Sequence, residues 1–282
     1  MVKKISIGIP VYNGEQYIKD TIDSLLSQTF KNFEVIISDN ASTDSTKKKC
    51  LDYVVQDNRI HYIQQEQNIG VWRNYFFLPS KAKSEYFMWL PVGDILHPEF
   101  LKKNIQVLER DEEIVASIGR LQYIDENNKK IPEFDPYEYT NYPMKSQLDK
   151  KIAFYLRTKN SRNMGALCRT KALQKSIPKI IIPMEDRMIL LNLLRFGDIN
   201  VIDEVLTYLR IGGYTAKRDL IDRIKTGHDF DKILMVLPFL PFSTWFMKKF
   251  GFRLLLKNIN YFIRLNFTTI WYLYKHYFKK NT

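Results

Sequence analysis

Cysteine is almost missing from this chain. Cys50 and Cys168 are the only two among 282 residues. They lie far apart and fit no metal-ligand spacing, so a reduced, cytosolic setting is expected. No apolar run reaches the roughly 18 residues that a bilayer crossing needs, so no transmembrane helix is expected. The opening MVKKISIGIP is too short, and too soon interrupted by Pro10, to serve as a signal peptide. Both phosphate-cradling loops are missing: no G-x-G-x-x-G follows the first apolar strand, and no G-x-x-x-x-G-K-[ST] occurs anywhere. Carboxylates are absent beyond Asp231, where nine Lys and Arg side chains supply most of the net charge of +12. The body is therefore nearly balanced and the tail is basic. Internal repeats and low-complexity segments are also absent.

Residues 5–46 carry the most information. Ile5 to Val11 alternates small and branched residues and runs into Tyr12-Asn13-Gly14. A helix follows with Ile18, Ile22, Leu25 and Leu26 on one face, then a second apolar strand, Phe33 to Ile37, ends in Ser38-Asp39-Asn40. This is a βαβ unit whose strands both finish in polar residues. Open α/β sheets bind ligands outside the carboxyl ends of their strands, so Asn13 and Asp39 stand where a small polar ligand is read. With no phosphate-cradling loop, the charge of any bound pyrophosphate has to be met by a metal or by basic side chains.

Further along, strands fit Ile60 to Gln64, Tyr86 to Leu90, Ile114 to Ile124 and Val205 to Leu209. Helices fit Val71 to Ala82, Pro98 to Glu109 and Met184 to Leu194. Residues 126–147 show no periodicity and read as either a loop over the site or a connector. From Phe242 to Phe278 there are thirteen aromatic residues interleaved with lysine and arginine. That composition suits an amphipathic helix lying on an anionic membrane surface, or a helical pair packed on the sheet with a solvated basic face. Nucleic acid is not expected as a partner, because no RNA-binding signature accompanies the near-neutral body.

The blocks PVYNGEQYIKDTIDSLLSQTF, FEVIISDNASTDST, NIGVWRNYFFLPSKAKSEYFMWL, GDILHPEFL and MEDRMILLNLLRFGDINVIDEVLTYLR occur in this order. Together they resemble the family 2 glycosyltransferases over about residues 4–212. The resemblance implies a GT-A fold: an α/β, Rossmann-like mixed sheet flanked by helices. The expected domain spans 1–215, with a nucleotide-binding half at about 1–110 and an acceptor half at about 111–215. Residues 216–282 would form a helical, basic, membrane-associating extension.

The implied activity is inverting transfer of a sugar from a UDP- or dTDP-type donor to a hydroxyl of a glycan, plausibly lipid-linked, in surface polysaccharide or glycoconjugate synthesis. The setting would be cytoplasmic, peripheral on the inner face of the cell membrane. By the same resemblance Pro10, Tyr12, Asn13, Glu15, Asp39, Asn40, Asn68, Gly70, Arg73 and Asp94 line the donor pocket. Asp39 would take the ring N–H of uracil or thymine; the residues alone also allow Asp39, with Ser42 and Asp44, to be turn and helix-capping residues. Trp89, Gly165 and Arg169 fall on the acceptor side, the last two on Asn163 to Arg169, which resembles a strand passing beneath the acceptor site, and Asp186 would be the general base with Glu185 orienting it.

Two departures stand out. Relatives carry two or three aspartates where this chain has Pro91-Val92-Gly93-Asp94, and they often place a histidine two residues beyond an arginine where this chain has Arg210-Ile211-Gly212. A divalent cation, Mn or Mg, at Asp94 is thus a weakened expectation, and no organic cofactor is implied. A catalytically impaired nucleotide-sugar binding protein on the same scaffold is the alternative.

Overall fold

A computed structural model describes residues 3–132, 145–157, 162–211 and 239–267. In chain order the elements are β1 (Ile5–Val11), α1 (Ile18–Leu26), β2 (Phe33–Asp39), α2 (Thr46–Gln56), β3 (Ile60–Gln64), α3 (Val71–Lys81), β4 (Tyr86–Trp89), β5 (Ile95–Leu96), α4 (Phe100–Arg110), β6 (Ile114–Ile124), α5 (Leu148–Arg157), β7 (Leu167–Arg169), α6 (Thr170–Ser176), α7 (Glu185–Leu193) and β8 (Asp198–Arg210). Two helices of the C-terminal segment follow, α8 (Leu240–Phe250) and α9 (Phe252–Lys257), and residues 259–267 are again helical.

The strands form one sheet in the order β3-β2-β1-β4-β7-β6-β8-β5. β1 pairs in parallel with β2 on one side and with β4 on the other. Strand order therefore reverses at β1, which opens a crevice at the carboxyl ends of β1, β2 and β4. Every residue of β1 is buried, as expected of a central parallel strand covered on both faces. Helix α1 inserts Ile18, Ile22 and Leu25 into the core. The side chain of Gln28 ties the end of α1 to α4, accepting from Leu101 N at 3.0 Å and donating to His97 O at 2.9 Å. On the other face, Leu78 of α3 lies against Gly8, where any side chain would meet both Leu78 and Phe87.

Three segments differ from the sequence expectation. β8 starts at Asp198, seven residues before the expected strand. Its first half carries exposed Asp203 and Glu204, which pair with Arg120 and Lys103. Those charges hide the alternation, and parallel pairing with β6 supplies the strand instead. Asn163 to Arg169 is not one strand: a 3₁₀ turn, Arg162–Gly165, precedes the three-residue β7. Of the aperiodic stretch 126–147, the start is a tight turn closed by Ile131 N donating to Tyr123 O at 2.9 Å, and 133–144 lie outside the described residues.

The C-terminal segment contributes to the main core. Phe242 and Phe246 are fully buried and Phe262 nearly so. Leu240, Met247, Phe252, Leu256, Ile263 and Phe267 are exposed. Among the described residues, no helix is long and apolar enough to cross a membrane.

Candidate active site

The loops after β1 and β2 are stapled to each other. Asn13 N donates to Ser42 Oγ at 2.9 Å, Gly14 N to Thr46 Oγ1 at 2.8 Å, and Glu15 N to Asp44 Oδ2 at 3.1 Å. In return, Thr43 N donates to Asn13 Oδ1 at 2.8 Å and Ser45 N to Glu15 Oε2 at 2.9 Å. Asn13 holds a left-handed φ of 50°, which asparagine tolerates better than most residues. Burial pushes the Asp44 carboxyl up, but hydrogen bonds from Thr46 and Glu15 outweigh it and leave the group below its usual range. Asn13 and Glu15, expected as donor-pocket residues, thus spend their side chains fixing the rim. Pro10 lies beyond the β1–β4 ladder, which ends at Gly8 opposite Trp89, and Tyr12 is half-buried at the start of the loop.

The next layer is a polar lattice at the end of β2. Asn40 Nδ2 donates to Asn68 Oδ1 at 2.9 Å, and Asn40 Oδ1 accepts from Ile69 N at 2.8 Å. Gly70 N donates to Asn68 Oδ1 at 2.9 Å. Gly70 has φ 89° at the start of α3, a conformation that favours glycine. Arg73 is exposed on the first turn of that helix.

Asp39 differs from the expectation. It is 0% exposed, accepting from Ser42 N at 2.8 Å on Oδ1 and from the Tyr62 hydroxyl at 2.5 Å on Oδ2. The carboxylate expected from the sequence to meet the base is thus buried and hydrogen-bonded within the protein in this arrangement.

Asp94 sits in the loop after β4, part-exposed, and its Oδ1 accepts from Arg210 N at 3.2 Å. Sequence reasoning treated Arg210 only as the neighbour of a missing histidine, yet it is the hub of this corner. Its side chain is 1% exposed. Nε donates to Gly93 O at 3.1 Å, one terminal nitrogen to the Asp125 and Glu126 carbonyls at 2.8 and 3.0 Å, and the other to Asp20 Oδ2 at 2.9 Å and Asn128 Oδ1 at 2.5 Å. The guanidinium also lies 4.5 Å from the Tyr17 ring centroid. All five N–H groups are used, so the charge clamps α1, the β4–β5 loop and the turn after β6 together. No signal in one sequence marks such a hub, because its partners come from three separate segments.

Among the described residues, no group of three His, Cys, Asp or Glu side chains could hold a metal ion. The donor set at this corner is one part-exposed carboxylate. It fits a hard cation only when diphosphate oxygens and water complete the shell.

The orientation of α7 follows from the chain after it. Asp198 N donates to Glu113 O at 2.7 Å, and Asp198 pairs with Ile114 at the start of β6. The end of α7 is therefore at the amino-terminal edge of the sheet, and Glu185 and Asp186 at its first turn face the carboxyl edge. Asp186 is part-exposed and Glu185 buried. Arg187 is buried, donating to the Tyr155 and Leu156 carbonyls at 2.7 and 3.0 Å, so it ties α7 to α5. Its guanidinium is 6.0 Å from the Tyr261 ring centroid. Burial raises the Tyr261 hydroxyl pKa, with Arg187 lowering it and Asp186 adding to the rise. The C-terminal segment thus borders the candidate base.

Two of the residues expected on the acceptor side are elsewhere. Trp89 is 1% exposed, its indole N–H donating to Tyr75 O at 2.9 Å and its ring edge-on to Phe87; it is core beneath α3. Arg169 pairs with Tyr86 at the amino-terminal edge and donates to the Leu108 and Ile114 carbonyls at 2.6 and 3.0 Å. It lines a cavity of about 820 Å³ with Lys3, Lys83, Lys171, Lys175 and Phe196, on the edge opposite Asp39. Antiparallel pairing of β7 explains the reversal: the same three residues that carry Arg169 down carry Gly165 up. Gly165 does reach the carboxyl edge, where a Cβ on it would find Trp89 O at 3.9 Å and nothing nearer. Both cysteines are buried, and burial pushes each thiol up to about 12, which leaves them unreactive.

A family model described as glycosyl transferase family 2 matches residues 6–175, more than half of the chain. The chain belongs to glycosyl transferase family 2. Glycosyltransferase GlyG of Streptococcus pneumoniae is 32% identical over 129 residues, 45% of this chain and 42% of that protein. An uncharacterized glycosyltransferase of Methanocaldococcus jannaschii is 30% identical over 137 residues, 48% of this chain and 47% of its own length. The matched segment thus spans less than half of these curated relatives. Among solved structures, residues 1–349 of TarS from S. aureus in complex with UDP-GlcNAc superpose with a TM-score of 0.62 at 20% identity, covering 93% of this chain and 81% of that one. The mannosyltransferase PcManGT from Pyrobaculum calidifontis, in complex with GDP-Man and Mn2+, gives 0.55 at 13% identity, covering 77% and 60%. The fold is GT-A.

Proposed function

We propose that this chain is an inverting glycosyltransferase that takes a sugar from a UDP- or dTDP-type donor and places it on a hydroxyl of a glycan acceptor. The observation that carries this reading is the convergence on one sheet edge of the Asp39–Asn40 lattice, Asp94, and the Glu185-Asp186 turn of α7, each supplied by a different part of the family pattern. The nucleotide lies across the ends of β1 and β2, with its diphosphate toward Asp94 and Arg73. Bound there, a divalent cation held by Asp94 and donor phosphate oxygens would neutralise the leaving group. Asp186 takes the proton of the acceptor hydroxyl as that oxygen bonds to the anomeric carbon, and the bond to the diphosphate breaks on the opposite face. A single displacement inverts the configuration.

The acceptor class is a lipid-linked glycan at an anionic membrane surface. Exposed Phe252, Leu256, Ile263 and Phe267 alternate with Lys248, Lys249, Arg253 and Arg264 on the C-terminal segment, which supports interfacial contact while Phe242 and Phe246 anchor the segment to the domain. This extends the reading to a domain at 1–215 with a membrane-associating segment at 216–282, whose residues 212–238 and 268–282 lie outside the described ones.

The test is a donor-hydrolysis and transfer assay paired with calorimetric UDP binding. Asp186→Asn should lower turnover by about 10²–10⁴-fold, the usual contribution of a general base, with UDP affinity unchanged. Equal turnover in the variant removes Asp186 from the mechanism. A wild-type protein that binds donor without turnover favours the nucleotide-sugar binding alternative, to which the thinned aspartate motif already points.

A further inference from the structure

The amino-terminal edge of the sheet, opposite the proposed donor site, carries the cavity of about 820 Å³, and its lining holds six cations against one carboxylate. Four segments build it: the start of β1 with Lys3 and Lys4, the approach to β4 with Lys83 and Glu85, the start of α6 with Lys171 and Lys175, and Phe196 after α7. The one carboxylate is already engaged. Glu85 pairs with Lys4 at 2.6 Å, and Lys4 also reaches Glu109 at 3.3 Å. Lys3, Lys83, Lys171 and Lys175 form no ion pair among the described residues. Arg169 adds a sixth charge. Among the described residues its hydrogen bonds go to the Leu108, Asp111 and Ile114 carbonyls, which leave that charge uncancelled.

This concentration is not a by-product of overall basicity, because the chain up to Asp231 is nearly balanced. It also has a local cost. Lys171 and Lys175 stand four residues apart on the exposed face of α6, whose other face buries Ala172, Leu173 and Ser176. Like charges at that spacing destabilise a helix, and α6 contains no acidic residue to offset them. Thr170 lines the same wall, and its hydroxyl is buried with no hydrogen-bond partner among the described residues, an uncommon state in a folded protein.

We propose that this cavity binds a phosphorylated anion, either a soluble phosphate ester or the phosphate of a lipid headgroup. Lysine ammonium groups are point charges suited to phosphate oxygens. Several unpaired ones around one concavity focus their potential on a multivalent anion. The volume is that of a small-ligand pocket and admits a phosphate with an organic group attached. Ala82, Val115, Ala172 and the exposed ring of Phe196 supply the apolar part of the lining. The site does not depend on the donor reading, since Asp39 and Asp94 lie at the other edge of the sheet.

The probe is inorganic pyrophosphate, titrated calorimetrically into the full chain at low salt with UDP in excess to fill the donor crevice. The wild type should bind it with a Kd below about 1 mM, and added salt should weaken it. Lys171→Gln with Lys175→Gln removes two charges and keeps good helix formers. That variant should bind pyrophosphate at least about tenfold more weakly, with UDP affinity and melting temperature unchanged. Lys47→Gln with Lys48→Gln, an equal loss of charge on α2 at the carboxyl edge, should change the affinity by less than about twofold. Should the first variant fail to fold, Lys3→Gln with Lys83→Gln repeats the test from the other wall. Phosphatidylcholine vesicles containing phosphatidic acid identify the source. Weaker retention of the Lys171/Lys175 variant than of the wild type assigns a lipid phosphate; equal retention with pyrophosphate binding lost assigns a soluble ester. The site is overturned if the wild type does not bind pyrophosphate, if the cavity variant keeps the wild-type affinity, or if the α2 variant loses as much. Failure of UDP to bind while pyrophosphate follows the expected pattern removes the donor reading and leaves this site standing.

Discussion

Replacing Arg210 by methionine keeps most of the aliphatic stem and removes the charge and all five donors. The structure sets the size of the effect. The guanidinium is almost fully enclosed and faces Asp20, whose side chain is 36% exposed, so Asp20 is not stranded in the variant and can be rehydrated. The buried Gly93 carbonyl is left without that partner, whereas Asp125 is half-buried and Glu126 and Asn128 are exposed enough to be rehydrated. Breaking a buried ion pair costs about 3–5 kcal/mol, and partial exposure of Asp20 places this case near the lower end, about 3 kcal/mol. For a domain of this size that lowers Tm by roughly 10 °C. Lysine at 210 should recover about half, because it restores the charge but cannot reach three segments at once. Urea denaturation and differential scanning calorimetry measure both. A double cycle with Asp20→Asn should show coupling of about 1 kcal/mol. A fall of less than about 2 °C for Arg210→Met would mean that the clamp contributes little and that the loop carrying Asp94 is held by other contacts.

Gly119→Ala places a Cβ about 2.5 Å from Leu206 Cβ across the β6–β8 pair; it should cost about 1–3 kcal/mol by overpacking, read as a lower urea midpoint. Asp57 accepts from both the side chain and the N–H of Arg59 at the start of β3, which holds its carboxyl below the usual range. A lowered folded pKa means stability that is complete above the ordinary aspartate range and lost as pH falls through the folded value. Acid titration of stability should therefore show a smaller loss below about pH 4 in Asp57→Asn, by about 1 kcal/mol. Phe252→Ser combined with Ile263→Ser should release the protein from anionic liposomes while leaving its melting temperature within a degree or two, because both side chains are exposed; retention on the liposomes would end the membrane reading of the C-terminal segment.

The first βαβ unit was legible because its patterns are local. β1, β3 and β6 have the expected bounds, and α1 shows its apolar face every third or fourth residue. Polar residues after β1 and β2 marked the functional edge for the same reason. What an isolated sequence could not reveal was direction and enclosure. Arg169 was placed with the acceptor residues, but antiparallel β7 takes it to the far edge. Trp89 resembled a pocket wall, but α3 covers it. Asp39 was assigned the base, and its burial and its hydrogen bond to Tyr62, contributed by the next strand, could not be read from the sequence.

The sequence by itself determined the alternation of apolar strands and amphipathic helices, the polar strand ends, and the carboxylates available for chemistry, since each of these resides in a few neighbouring residues. Only the tertiary structure decided which of those carboxylates is exposed, which is buried against a phenol, and that Arg210 of β8 joins three other segments around Asp94. Hydrogen-bond saturation depends on atoms brought together from up to 190 positions apart, and no local pattern encodes it.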